Sequence, residues 1–196
     1  GILLSKLIKK HARLILTELL IQYCCSPERV IQACKQLRNI DTDTKVSQVS
    51  AIPLTQVADY IQPKMLGVLA NIDNKLIHTR IALSVKRKAF QSFPHIINLM
   101  GSKHITILRF KILATLRTSL SSMKDFPLLN IEAWNAFVRN VDTTSLGPLL
   151  TTIVVSLLPL IENIPEKLNE ILEYIIVQNE NILSTHISDL FFLEKT

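Results

Sequence analysis

Residues 101–142, GSKHITILRFKILATLRTSLSSMKDFPLLNIEAWNAFVRNVD, decide the fold. In the first half of this stretch Ile105, Leu108, Ile112 and Leu116 recur at helical spacing and share one face. Ile107, Phe110 and Ala114 form a second apolar strip on roughly the opposite side. A helix apolar on two sides is expected to have two neighbours, as in a stack where each unit packs on the next. Asp125 and Pro127 then read as a cap and a first-turn proline. They open a second helix expected to pack Leu128, Ile131, Trp134, Phe137 and Val138. Trp134 is the only tryptophan, and it reads as a large core side chain in a seam between helices.

The same pattern extends on both sides. Towards the C-terminus, Asp142 and Thr143 cap LGPLLTTIVVSLLPLI (Leu146–Ile161), whose apolar character around most of its circumference implies burial on several sides, with Pro159 bending its end. Asn163 and Pro165 open another helix, with Leu168, Ile171, Leu172, Ile175 and Ile176 inside and Glu166, Glu170 and Glu173 outside. A short last helix is expected over Leu183–Phe192. Towards the N-terminus, Gly101 should end a helix running from about Ser84, because glycine tolerates positive φ, and Pro94 should disturb that helix. Val57, Ile61, Met65, Val68, Leu69, Ile72 and Leu76 mark a further helix, started or kinked at Pro63.

Residues 41–53 lose the period and read as a polar loop. Ahead of it lies a helical pair over residues 1–40. Its first member, Ile2–Tyr23, sets Leu3, Leu7, Leu14, Ile15 and Leu19 against Lys6, Lys9, Lys10 and Arg13. Ser26, Pro27 and Glu28 open its second. The domain reading is therefore a pair over 1–40, a loop over 41–53 and a helical region over 54–193. Helix starts near Lys103, Phe126, Ser145 and Pro165 recur about every twenty residues, or about forty per pair, the period of HEAT-type repeats. The expected class is all-α: stacked antiparallel helix pairs forming a HEAT-type α-solenoid segment.

Composition agrees and narrows the chemistry. The 196 residues are 48% hydrophobic and contain only four glycines, which suits helices with short turns better than a sheet of hairpins. The chain begins Gly-Ile-Leu-Leu and runs straight into a basic helix, so it reads as an internal segment with no signal peptide. Leu149–Ile161 is shorter than the ~20 residues a membrane span needs, and no span is expected. Cys24, Cys25 and Cys34, an odd number, point to reduced thiols in the cytosol or nucleus. They could surround a metal with His11, but no C-x-x-C pair is present and buried reduced thiols are the commoner case. His78, His95 and His186 have no spacing that pairs them. No phosphate-cradling glycine loop, HExxH or GxSxG occurs, so no catalytic residue, cofactor or metal site is assigned.

Charge is asymmetric. Up to Val141 there are 20 Lys plus Arg against 8 Asp plus Glu, and from Asp142 onward 2 against 8. The basic part offers a candidate contact surface: Lys86, Arg87 and Lys88 at one helix start, then Lys103, Arg109, Lys111 and Arg117, with His104 beside them. Such residues touch phosphates or an acidic partner in some proteins, and form solvated ridges between apolar seams in more. Two alternatives follow: a nucleic-acid-binding surface on the basic first two-thirds, and self-association of the acidic end with the basic region. Ser47-Gln48 and Thr55-Gln56 make Ser47 and Thr55 candidate phosphorylation sites, where added charge would alter an exposed loop.

Five segments carry a family resemblance: PKMLGVLANID (63–73), GSKHITILRFKILATLRTSL (101–120), DFPLLNIEAWNAFVRNVD (125–142), LGPLLTTIVVSLLPLI (146–161) and ILEYIIVQNENIL (171–183). In order and spacing they resemble the UME domain of the ATR checkpoint kinases, of the phosphatidylinositol-3-kinase-related family, over roughly Pro63 to Leu193. The resemblance implies a HEAT-type scaffold segment preceding a serine/threonine kinase domain. It also implies a nuclear protein of the DNA-damage and replication-stress checkpoint, with ATRIP as partner. The kinase motifs are absent here, so neither ATP binding nor catalysis carries over.

Overall fold

The computed structural model describes residues 2–23, 29, 32–33, 61–120, 125–161 and 164–178, and side chains of most of these. Most of the expected second helix, with Cys24, Cys25 and Cys34, the 41–53 loop with Ser47, the neighbouring Thr55, and the last helix at Leu183–Phe192 lie outside the described residues. Among the described residues every regular element is helical, so the chain is all-α. The elements are α1 (Ile2–Tyr23), α2 (Met65–Ile77), α3 (Leu83–Ser119), α4 (Pro127–Asn140), α5 (Thr143–Leu146), α6 (Leu150–Leu157) and α7 (Pro165–Gln178).

Local chemistry sets most boundaries. Pro63 sits in a 3₁₀ turn, Gln62–Lys64, that leads into α2, as a residue with fixed φ and no N–H suits a helix start. Pro127 opens α4, but Asp125 does not cap it: Phe126 holds the cap position at φ −144° and ψ 58°, with no side-chain hydrogen bond. Asp142 is a true cap, its Oδ1 accepting from the Ser145 N–H at 3.0 Å.

Gly101 sits within α3 at φ 67° and ψ 173°, a combination essentially reserved for glycine. The two halves of α3 fold back on each other there, as their contacts with α4 show. Phe90 meets Phe126 at 6.0 Å between ring centroids, and Asn98 Oδ1 accepts from Asn140 Nδ2 at 2.9 Å, so the first half runs parallel to α4. In the second half the order reverses. Thr106 Oγ1 accepts from the Asp142 N–H at 3.2 Å, and Asn130 Nδ2 donates to the Ser119 carbonyl and hydroxyl at 3.2 and 3.1 Å. One residue thus joins an antiparallel pair. Pro94 lies buried within the first half without ending it.

The next pair stacks on this one in register. The second half of α3 runs alongside α5 and α6, from Thr106 beside Asp142 to Arg117 beside Ser156. On the other layer α7 runs parallel to α4: Ile131 and Glu132 lie by Lys167 and Ile171, and the Arg139 guanidinium sits 4.6 Å from the centre of the Tyr174 ring. Near the N-terminus α1 and α2 are parallel as well, with Arg13 against Gly67 and Thr17 bonded to Asn71. Glu18 pairs with Lys75 at 2.7 Å. Like helices therefore pack on like, and the shared core contains Trp134, Phe90, Phe93 and Phe137.

Several expected faces differ. The strip Ile107, Phe110 and Ala114 is not a second seam: Ile107 is 60% and Phe110 63% exposed, and Ala114 is exposed too. Periodicity registers an apolar strip but not whether a neighbour lies opposite. Among the described side chains of α1 the buried apolar ones are Leu16, Leu20 and Ile21, while Leu7 and Leu14 are exposed. The non-helical His11 (φ −111°, ψ 16°) breaks the helical phase between the two halves. Leu128 falls off the buried arc of α4 and Ile176 at the edge of that of α7; both are exposed. Residues 146–161 are not one helix buried on several sides. Pro148 and Pro159 lie in 3₁₀ turns, Gly147–Leu149 and Leu158–Leu160, on either side of α6. Leu150, Ile153 and Leu157 point into the core, whereas Val155, Leu158 and Ile161 are exposed. The stretch Thr143–Leu160 is long and apolar enough by composition to cross a membrane, with mean hydropathy 1.5; its buried leucines belong to the helical core.

Candidate interaction surface

The seven basic residues singled out from sequence do not converge on one spot. Lys86, Arg87 and Lys88 lie near the start of α3, and Lys88 Nζ donates to Gln22 Oε1 of α1 at 2.6 Å. Lys103 is exposed just past the Gly101 reversal, at the opposite end of the helix pair. Arg109 donates from Nη1 to the Thr106 carbonyl at 2.7 Å and lays its guanidinium 4.6 Å from the centre of the Phe110 ring. Lys111 is held by Asp73 of α2, a carboxylate only 14% exposed. That ion pair joins two helices, so Lys111 has a structural task. Arg117 is exposed on the wall of a groove. Lys103 and Arg117 are separated by about 21 Å along the helix, at 1.5 Å per residue.

The groove lies between the second half of α3 and α6. Ala114, Arg117, Thr118 and Leu120 line one side and Val155, Ser156 and Pro159 the other, around some 580 Å³ of open space. Sequence patterning had no means of finding Val155 and Pro159 as wall residues, because the pairing of α6 with α3 is set by the register of whole helices. A smaller hollow of about 110 Å³ separates α4 from α7, bounded by Leu128, Glu132, Asn135, Lys167 and Glu170 among others. Among the described residues no three His, Cys, Asp or Glu side chains gather as metal ligands. His104 is buried at 8% exposure.

Electrostatics are concentrated at helix starts. Asp142 accepts from Thr144 Oγ1 at 2.6 Å and from the Ser145 N–H, and these hydrogen bonds hold its carboxyl well below the usual carboxylate range. A lowered folded-state value means that the ionised cap contributes fully at neutral pH and that its contribution is lost as pH falls through the folded value. The stability difference between the native chain and Asp142→Ala is therefore expected to shrink progressively in acid, below the ordinary carboxylate range. Thermal melts across a pH series measure it. On α7, the Glu170 carboxylate accepts from Lys167 Nζ at 2.9 Å and raises its pKa; both groups are exposed, and the pair adds little.

Residues 60–161 match the UME (NUC010) domain family. The chain is also similar to "Serine/threonine-protein kinase ATR" of Drosophila melanogaster, with 28% identity over 197 residues. That alignment covers 98% of this chain and 8% of the relative. No solved structure matches.

Proposed function

The chain belongs to the UME (NUC010) domain family, and from this premise we propose that it is a non-catalytic, HEAT-type scaffold segment of an ATR-like checkpoint serine/threonine kinase. It would space and orient the other parts of that protein and present surfaces to partners, of which ATRIP is one for the full-length kinase. The nucleus and the DNA-damage and replication-stress response are the setting this reading implies. One observation carries it: like helices stack on like, with α4 parallel to both the first half of α3 and α7. Such stacking suits a scaffold, since each hairpin contacts chiefly its neighbours and rigid-body rotations pass along the array.

Crosslinking of the full-length kinase through Lys86, Lys103 and Lys167 tests the reading. The expected partners are flanking helical repeats and a protein subunit. Nucleotide binding or peptide phosphorylation by the isolated chain would overturn it. Direct DNA contact is a weaker reading, because Lys88, Arg109 and Lys111 are engaged within the fold and the remaining cations are spread over both ends of the pair. Self-association through the acidic face of α7 is a further alternative. In the same experiment, crosslinks to DNA or to a second copy would favour one or the other.

A further inference from the structure

We propose that the outward stripe of α3, Lys103–Ile107–Phe110–Ala114–Arg117, docks an acidic amphipathic helix of a partner protein. The inference rests on the scaffold reading, in which partners bind to the helical array, and it assigns a surface and a chemistry to one of them.

Four observations converge. The second half of α3 buries Ile105, Leu108, Ile112 and Leu116, yet leaves Ile107 60% and Phe110 63% exposed. At 100° per residue the five stripe positions fall within one narrow arc of the helix, so the exposed apolar residues are contiguous rather than scattered. The stripe is continued across the groove: Ala114 and Leu120 on the α3 side and Val155 and Pro159 on the other supply its apolar walls. Along this half of α3 the charge has one sign. No Asp or Glu occurs from Gly101 to Leu120, so the apolar centre is bracketed by Lys103 and Arg117 about 21 Å apart, the length of a four-turn helix.

Together these features specify the occupant. An apolar centre spaced i, i+3, i+7 receives the apolar face of a helix, as in helix-in-groove recognition. Cations at both ends select carboxylates there and repel basic helices. Nucleic acid fits less well, because its phosphates would meet Ile107 and Phe110 where the cations should be, and Arg109 already covers one face of the Phe110 ring.

The test uses the 196-residue chain and a fluorescent peptide of about two heptads, with Leu at i, i+3, i+7 and Glu at both ends. Saturable binding is expected, weakened at least about tenfold by Phe110→Ala and by Arg117→Glu, and left unchanged by Arg87→Glu. Phe110 and Arg117 are exposed, and circular dichroism verifies that each variant stays folded; the charge reversal stands as a second probe if one variant does not. The proposal is overturned if both variants bind as well as the native chain, or if the same peptide with Lys for Glu binds equally. It also fails if duplex DNA or a second copy of the chain occupies the stripe instead. Failure here leaves the crosslinking result untouched, so loss of the docking surface and loss of the scaffold reading are distinguishable.

Discussion

Trp134→Ala is expected to destabilise the chain by about 3–5 kcal/mol, the range for deleting a fully buried large aromatic. Trp134 is 0% exposed and lies on α4, which packs against α3 on one side and α7 on another. Truncation removes its apolar transfer energy and leaves a cavity in the core, which neighbouring helices can close only by shifting together. Its indole N–H finds no hydrogen-bond acceptor among the described residues, so Trp134→Phe should cost much less, about 1–2 kcal/mol, because it leaves no donor stranded. Urea unfolding followed by far-ultraviolet circular dichroism measures both, since the substitutions remove the chain's only indole fluorophore. Phe110→Ala is the comparison: an exposed side chain of similar chemistry should change stability by no more than about 0.5 kcal/mol.

Gly101→Val should cost about 3 kcal/mol, at the upper end for a residue forced into sparsely populated backbone space. A Cβ built at Gly101 meets nothing within 4 Å, so the cost comes from the backbone alone. The smaller change Gly101→Ala decides by its sign. At φ 67° and ψ 173° it destabilises by about 1–3 kcal/mol. In a helix running straight through this position it would instead stabilise by up to about 1 kcal/mol. Thermal or denaturant unfolding of the three proteins separates the two cases.

Residues with a backbone reason for their place were legible in the sequence. Pro63, Pro127 and Pro165 stand at helix starts, Asp142 caps one, and Gly101 reverses the chain, because each acts through its own φ or its own side chain. The inward residues of α3 were legible too, since four apolar positions in phase identify a face. What periodicity cannot supply is the object opposite that face. Ile107 and Phe110 have the same pattern as a buried strip and are exposed, while Thr17, Ser92 and Asn130 look like surface residues and are buried. Asn130 is inside because both hydrogens of its amide reach the end of α3 at Ser119, a partner eleven positions away. The candidate surface was half visible. The cations could be named, but the tie between Lys111 and Asp73 and the wall formed by α6 depend on how helices far apart in sequence come together.

The parallel packing of α4 on α7 has a mechanical consequence. Two hairpins among the described residues are closed tightly, by a single residue at Gly101 and by Val141 and Asp142 between α4 and α5, which leaves little slack between their arms. Compliance is therefore concentrated at the seams between hairpins, where side chains slide past one another without breaking backbone hydrogen bonds. Pulled along its axis, the segment would respond like a leaf spring, its layers shearing and recovering long before any helix unwinds.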